Sequence, residues 1–583
     1  MKNLSLVISA LSFYIITQAD DASSRAIAQG KYDEGNTTVD FGQPTLLKPY
    51  VPGTDSLVLE ITRAKQSGDV RRAQKLMHDL DSLYGIGTSI ETQTDPSSTI
   101  EQINATANPL HSFTIANSTN AEKAPFLMVR KDGAYVHVAY ETWAGTSHAD
   151  TIYISRFTSS WSRLYKISST TRRHAFPSLA YLPPDSFIVL YDGTLITGGG
   201  DIFAAIAHNT GLGGRTLAID TDSDADTRPR VASDEVPPTY VYAAYQTNRK
   251  VTVRRSVDEG RTWSNDLFSY TVSRDIQNVW ITVDRTLISN IYVSWSVPDT
   301  LYISKSTDYG VNWTVPTRLY HSGVQSNSVA ATNGKVIIAY CRQFSGDDWD
   351  AWYYYSTNAG SSWARTSVNT DLTFEAYPTV SAEPGTGANY FSLFYRAGGR
   401  RVNTANVRGA LIPISNPSSF SPLSHTPGDL TGYISDADFV STGAQPSGNP
   451  AHVAWAYRFN NTDDFDLSSA PGMWTGVPVP VNAVAATYAL SSNYPNPFNL
   501  TTNIEFALPK RSIVTVRVFD LLGREVVSLV DQTLNAGIFR SSWDGFNSEG
   551  KATATGVYFL RMVATPLDGG QPFIQTRKMI LAK

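Results

Sequence analysis

The chain has 583 residues with a formal net charge of -5; 17% of residues are charged and 11% aromatic, including 30 Tyr and 12 Trp. This length exceeds what one hydrophobic core serves, so two or more domains are expected, and the mild acidity supplies no basic surface for nucleic acid. The single cysteine, Cys341, excludes an intrachain disulfide and stands too far from the N-terminus for a lipoprotein anchor, while nine scattered histidines without a His-Glu-x-x-His run give no zinc site.

Lys2 precedes an apolar run from Leu4 to Ile16, and Thr17-Gln18-Ala19 supplies small residues for cleavage, so residues 1-19 read as a signal peptide. The competing reading, a membrane anchor, needs about 20 apolar residues, and this run is shorter. No later segment has the length and apolarity of a membrane-spanning helix. An N-terminal segment, residues 20-105, follows. Within it Leu57, Val58, Ile61 and Ala64, then Val70, Ala73, Leu76, Met77, Leu80 and Leu83, keep helical spacing, interrupted at Ser67-Gly68. That pattern predicts a helical hairpin over 55-84, a cap against the next domain.

From 106 to 475 the chain consists of short runs rich in Val, Ile, Tyr and Trp between polar turns, an all-β pattern. Ser256-Val-Asp258-Glu-Gly260-Arg-Thr-Trp263 recurs as Ser306-Thr-Asp308-Tyr-Gly310-Val-Asn-Trp313 and as Ser356-Thr-Asn358-Ala-Gly360-Ser-Ser-Trp363, 50 residues apart each time. Four strands per repeat of that length make one propeller blade. In each copy the Asp or Asn can accept turn amides, the Gly can take positive φ and the Trp can bury itself. The copies resemble the Asp-box, the bacterial neuraminidase repeat, which implies a structural turn remote from any active site.

A second recurrence, an apolar strand ending on an aromatic residue, extends further: Val138-Ala-Tyr140-Glu141, Val189-Leu-Tyr191-Asp192, Ala243-Ala-Tyr245-Gln246, Val293-Ser-Trp295-Ser296, Ile338-Ala-Tyr340-Cys341-Arg342, Leu393-Phe-Tyr395-Arg396 and Trp455-Ala-Tyr457-Arg458. Seven units predict a seven-bladed β-propeller, or a six-bladed one if the last unit is irregular. Several are preceded by a run that reads as an innermost strand and opens on a proline, at Pro177, Pro229 and Pro378.

Residues 476-489, with Pro478, Pro480 and an Ala-rich stretch, read as a linker, and 490-583 as a small immunoglobulin-like β-sandwich. Asn493-Tyr-Pro-Asn-Pro-Phe-Asn499, Asp520-Leu-Leu-Gly-Arg-Glu-Val526, Trp543-Asp-Gly545, Gly556-Val-Tyr-Phe559 and the terminal Lys578-Met-Ile-Leu-Ala-Lys583 resemble the type A C-terminal sorting domain of type IX secretion cargo over roughly the last 95 residues. Leu500 departs from that pattern, where proline is usual. The resemblance implies export through the outer-membrane type IX machinery, with the protein released or held at the bacterial surface.

In a propeller the segments leaving the second strand and those entering the first share one face. Glu141, Asp192, Gln246, Ser296, Arg342, Arg396 and Arg458 fall on the former, and Arg172, Arg173, Arg228, Asp275, Asn327, Glu375 and Asp436 on the latter. Sialidases hold a substrate carboxylate with three arginines and use a Tyr/Glu pair and an acid. Arg342, Arg396 and Arg458, at equivalent positions of consecutive blades, invite that comparison, with Glu141, Asp192, Arg228 and Glu375 as further ligand contacts. The sequence has no Phe-Arg-Ile-Pro-like segment ahead of the first blade and no assignable Tyr/Glu pair, so the resemblance covers the repeat and leaves catalytic residues unassigned. Three functions stay open: binding of a glycan or other extracellular ligand, exo-acting glycoside hydrolysis of sialidase type, and a purely structural or adhesive role. Trp143, Trp349 and Trp352 offer rings for sugar stacking or for packing. No cofactor is called for elsewhere, but Asp220, Asp222, Asp224 and Asp226 alternate like the start of a calcium loop, without its Gly at position six and Glu at position twelve; calcium and a solvated acidic loop are the two readings.

Overall fold

The computed structural model describes residues 31–34, 37–40, 43–46, 51, 54–86 and, with interruptions, 88–582. The expected signal peptide, residues 1-19, lies outside them. The chain divides into two compact units, residues 1–102 with 167–329, and residues 103–166 with 330–583.

Seven antiparallel sheets of blade topology follow one another along the chain, and the second strand of each is one of the seven apolar-aromatic runs: Val136–Trp143, Ser186–Leu195, Val241–Gln246, Ile291–Val297, Lys335–Ser345, Tyr390–Ala397 and His452–Arg458. Val241–Gln246 and Ile291–Val297 are buried at every residue. Both faces of such a strand are covered, so the sequence shows a continuous apolar run and no in-out alternation. The seventh sheet is completed by Thr114–Ala116, a strand that precedes the innermost strand of the first sheet, Ala121–Val129, and pairs with Phe465–Ala470. The last unit is therefore a four-stranded sheet, and the count among the described residues is seven. The fold is an all-β propeller followed by a sandwich, preceded by two helices.

In the first unit, helices α1 (Thr54–Gln66) and α2 (Val70–Leu83) form the expected hairpin. Asp69 caps α2 by accepting the Arg72 amide at 3.1 Å. Ile61, Met77 and Leu80 are buried in one cluster with Tyr240, Tyr242, Tyr309 and Trp313. Two ion pairs fix the hairpin to the sheets. Lys65 meets Asp234 at 2.9 Å with both side chains fully buried, and its ammonium lies 3.5 Å from the centroid of the Tyr240 ring. Asp81 pairs with Arg255, which also donates to the Tyr309 carbonyl at 2.6 Å. Burial pushes the Lys65 ammonium down and the Asp234 carboxyl up, and each partner opposes the other's shift. The strands Gln43–Leu46 and Thr88–Glu91 pair with Phe268–Thr271 and Thr262–Ser264.

The three Asp-box turns share the bonds made by their Ser and their Asp or Asn, and the first two share that of the Trp. In the second copy Ser306 Oγ accepts the Gly310 amide at 2.8 Å, Asp308 Oδ1 accepts the Asn312 amide at 2.8 Å, and Trp313 donates to the Gly310 carbonyl at 2.9 Å. The first copy repeats this through Ser256, Asp258, Gly260 and Trp263. In the third, Asn358 Oδ1 takes the Ser362 amide at 2.9 Å and Ser356 the Gly360 amide at 2.8 Å, while Trp363 is half-buried. Gly260, Gly310 and Gly360 have φ of 87°, 85° and 79°, and a Cβ at Gly260 would stand 2.5 Å from Ile188 Cδ1.

In the second unit the sandwich consists of two four-stranded sheets. One contains Thr502–Leu508 and Gly537–Trp543; the other is built from Ser512–Phe519, Glu525–Leu534, Gly556–Pro566 and Phe573–Leu581. Val479–Val481, within the stretch read as linker, pairs with Gly537–Trp543. Burial along Ser512–Phe519 alternates, as half-buried strands require. The Asn-Pro-Phe and C-terminal motifs meet: Phe498 exchanges backbone bonds with Ile580 and Ala582, and Asn496 Oδ1 accepts the Ile580 amide at 2.9 Å. Asp520 Oδ1 accepts the Leu522 and Arg524 amides, closing the turn at Gly523.

Because Asn358 performs the turn-capping role with a neutral amide, Asp308→Asn is expected to leave stability within about 0.5 kcal/mol of the wild type. Asp308→Ala removes the acceptor for three donors, the Ser306 hydroxyl and the Asn312 backbone and side-chain amides, and is expected to cost about 2 kcal/mol, both read from urea unfolding.

Candidate functional site

The site residues are set by where each sheet's second strand ends and the next sheet's first strand begins.

In the first unit, Asp192 is buried in its strand and accepts the Thr227 hydroxyl at 2.6 Å and the Arg228 amide at 3.5 Å, both on the first strand of the following sheet, Thr227–Ser233. Gln246, the equivalent residue one sheet on, donates to the Ile276 carbonyl at 3.0 Å, and Asn278 donates to the Asn327 carbonyl at 2.7 Å. Asn327 is buried and donates to Ser294 Oγ at 2.8 Å. The polar residue that ends the second strand thus ties its sheet to the next. Burial pushes the Asp192 carboxyl above the usual range, against the bonds from Thr227 and Arg228. Ser296 is buried, and its carbonyl accepts the Gln277 amide at 2.8 Å. Arg172 is paired with Asp201 at 2.6 Å, Arg173 pairs across the sheet with Thr194, and Asp275 is an exposed partner of Arg249.

A feature not anticipated from the sequence sits at this end of the innermost strands. Phe176, Arg228 and Tyr377 have φ of 50°, 53° and 53°, Ala124 has 47°, and each directly precedes a proline. At each the innermost strand is bulged, with register shifts between Ala175 and Ser178, Thr227 and Arg230, Ala376 and Thr379, and Lys123 and Phe126. A left-handed conformation at a non-glycine residue costs of order 1–3 kcal/mol and survives only where its surroundings impose it. A bulge re-aims the side chain it carries. The Arg228 guanidinium lies 5.1 Å from the centroid of the Phe176 ring and donates to the Gln277 carbonyl at 2.5 Å, and Gln277 in turn donates to Gln325 Oε1 at 2.9 Å. Phe176, Arg228, Gln277 and Gln325 therefore form a continuous half-buried band across successive innermost strands. Pro177, Pro229 and Pro378 mark those strands in the sequence; the positive φ ahead of each proline is not legible there.

Asp220, Asp222 and Asp226 converge, with one carboxylate oxygen from each within 4.8 Å of the others. Asp224 turns away to Lys250 at 3.2 Å, so the expected four-carboxylate alternation becomes a three-carboxylate cluster. Burial, then the charges of Asp220 and Asp222, pushes the Asp226 carboxyl up to about 8.

In the second unit, Arg342 lies half-buried in its strand opposite Asp350, and Arg396 is buried opposite Ala376. Glu375, fully buried, donates its amide to the Trp349 carbonyl at 2.7 Å, which links the two sheets that carry the arginines. Trp349 and Tyr377 pack against Cys341 and Ala376. Burial holds the Asp350 carboxyl above its ordinary range; Trp352, which donates to it at 3.4 Å, opposes this, Asp348 adds to it, and Arg342 opposes it. Glu141 is buried and accepts the Trp143 indole N–H at 3.0 Å. Arg458 ends the strand His452–Arg458, but its side chain, like Asp436, lies outside the described residues. Arg342 and Arg396 thus occupy the same end of adjacent sheets, in company with Trp349, Asp350, Glu375 and Tyr377. Among the described residues no helix is long and apolar enough to cross a membrane.

Asp192→Ala would leave the Thr227 hydroxyl and Arg228 amide without this acceptor and is expected to destabilise the protein by about 1–3 kcal/mol, with Asp192→Asn recovering part of the loss; thermal unfolding of both variants checks this.

Residues 492–566 match the family model described as the secretion system C-terminal sorting domain. No curated protein matches the chain. Among solved structures it is similar to a mutant of Trypanosoma rangeli sialidase displaying trans-sialidase activity, at 10% identity over 85% of this chain and 89% of that one with a TM-score of 0.35. It is also similar to an exo-beta-1,3-galactanase from Phanerochaete chrysosporium, at 11% identity over 80% and 99% with a TM-score of 0.32, and to a Hadza microbial sialidase, at 12% over 66% and 94% with a TM-score of 0.34. At these values the likenesses bear on neither chemistry nor ligand, and the propeller assignment rests on the seven sheets themselves. The C-terminal part of the chain is a secretion-system sorting domain, and the protein is one exported by the type IX route to the cell surface or the medium.

Proposed function

We propose that the propeller binds an extracellular glycan carrying an anionic group, at the end of the sheets where the second strands finish. The observation that carries this reading is the band of Phe176, Arg228, Gln277 and Gln325, in which an aromatic ring and a guanidinium on bulged strands stand beside two amides. Rings stack on sugar faces, amides bond hydroxyls, and a guanidinium recognises carboxylate or sulfate in bidentate fashion. Arg342, Arg396, Trp349 and Tyr377 supply the same residue types in the second unit. The sorting domain accounts for the extracellular setting in which such a ligand is met, and the export machinery is its partner.

A second reading, an exo-acting glycoside hydrolase of sialidase type, draws on one observation. Asp350 is a carboxyl raised by burial, with Arg342 opposite it and Trp352 as its donor. A raised carboxyl is the form a general acid needs.

Probing a glycan array with the full chain, followed by calorimetry on the strongest hits, tests the first reading. Anionic glycans are expected to bind, with affinity falling about tenfold or more in Arg228→Ala, equivalent to about 1.4 kcal/mol; an array without hits, or an unchanged affinity in that variant, refutes it. Turnover of a fluorogenic sialoside that disappears in Asp350→Asn would establish the second reading, and no turnover across a broad glycoside panel would remove it.

A further inference from the structure

The segment between the outer strand of the second sheet, Gly214–Asp220, and the inner strand of the third, Thr227–Ser233, holds four carboxylates in seven residues. Three of them face one point, with an oxygen from each of Asp220, Asp222 and Asp226 within 4.8 Å of the others. Like charges at this distance repel unless something neutralises them. The protein's own cations are engaged around the edge of the cluster. Arg254 meets Asp220 Oδ2 at 2.8 Å and also Asp266 at 2.8 Å, and Lys250 takes Asp224 at 3.2 Å. Tyr245 donates to the same Asp220 Oδ2 at 2.6 Å, so Oδ1 is the oxygen that Asp220 turns toward the acidic segment, where it accepts the Asp222 amide at 3.3 Å.

Asp226 supplies a separate indication. It is 2% exposed, and its Oδ1 is buried with no hydrogen-bond partner. A buried carboxylate oxygen without a donor is costly unless a cation meets it. Its backbone is held firmly. The Asp226 amide donates to the Gly200 carbonyl at 3.0 Å, and a Cβ on Gly200 would stand 2.5 Å from the Asp226 carbonyl oxygen, so only glycine permits the approach. The side chain is therefore presented to Asp220 and Asp222 by a backbone that cannot retreat.

We propose that Asp220, Asp222 and Asp226 together hold one calcium ion at the entry to the third sheet. All three ligands are oxygens, the chemistry hard cations select. Oxygens that lie within 4.8 Å of one another can share one Ca2+ at about 2.3–2.6 Å, an ion that accepts flexible geometry, whereas Mg2+ demands near-ideal octahedral order. The ion neutralises the cluster at the root of the strand that continues into Thr227 and Arg228, so it fixes the segment from which the bulged Arg228 projects.

The test uses the full chain after EDTA treatment and dialysis, titrated calorimetrically with CaCl2 and, separately, followed by thermal unfolding with and without CaCl2. One ion per chain is expected to bind, with dissociation at or below about 1 mM, the range of extracellular calcium modules, and to raise the melting temperature. Asp222 is exposed, so Asp222→Asn keeps the fold and is expected to weaken binding at least tenfold; Asp226→Asn is expected to abolish it, with the unfolding temperature no longer responding to CaCl2. The proposal is overturned if the wild type takes up no calcium at up to about 10 mM, well above that range, or if either variant binds as the wild type does. Both readouts are independent of glycan binding, so a calcium result in either direction leaves the glycan proposal to its own experiment.

Discussion

Where its burial is described, the second strand of a blade is covered on both faces, and a sheet of that kind cannot bury itself. Val241–Gln246 and Ile291–Val297 have no solvent-facing side, and so depend on the sheets before and after them. Everything else follows from keeping neighbours in place. Polar side chains at the strand ends do this by bonding forward, from Asp192 to Thr227, from Gln246 to Ile276 and from Asn278 to Asn327. The residues that first suggest a binding surface are thus partly the fastenings between sheets, and the structure sets them inside the packing.

The two ends of the sheets have different work. At one end the Asp-box turns close three of the repeats with Ser, Asp or Asn and Gly, and the helical hairpin covers the third and fourth sheets through Lys65–Asp234 and Thr62–Tyr309. In those contacts hydroxyls, carboxylates and backbone amides bond one another within the protein. Left-handed non-glycine residues stand at both ends, at Glu259, Tyr309 and Ala359 in the Asp-box turns and ahead of prolines at the other, where a guanidinium also lies over a phenyl ring and burial shifts Asp192 and Asp350 upward.

Much of the architecture is legible in the sequence because it is periodic. The apolar-aromatic strands mark the sheets, the 50-residue spacing of Trp263, Trp313 and Trp363 marks the turns, and helical spacing from Leu57 to Leu83 marks the hairpin. What escapes is non-local. No pattern in the sequence says that Thr114–Ala116 pairs with Phe465–Ala470, that Val479–Val481 joins the sandwich, or that Asp81 reaches Arg255 across 174 positions. The candidate site is legible by position but not by partner: register puts Asp192, Arg342 and Arg396 at the ends of their strands, while the bulges that present Phe176, Arg228 and Tyr377 depend on backbone angles that residue types alone do not fix. The acidic run reads as four equivalent carboxylates, and only the fold separates Asp224, drawn to Lys250, from the other three.

The division of labour between the two ends is open to a direct measurement, hydrogen–deuterium exchange of the full chain with and without a bound anionic glycan. The account predicts slowed exchange in segments 172–178, 226–230, 276–278 and 375–378, and unchanged exchange in the Asp-box turns at 256–263, 306–313 and 356–363. Protection confined to those turns or to the hairpin at 54–83 would place the ligand on the opposite end and contradict it.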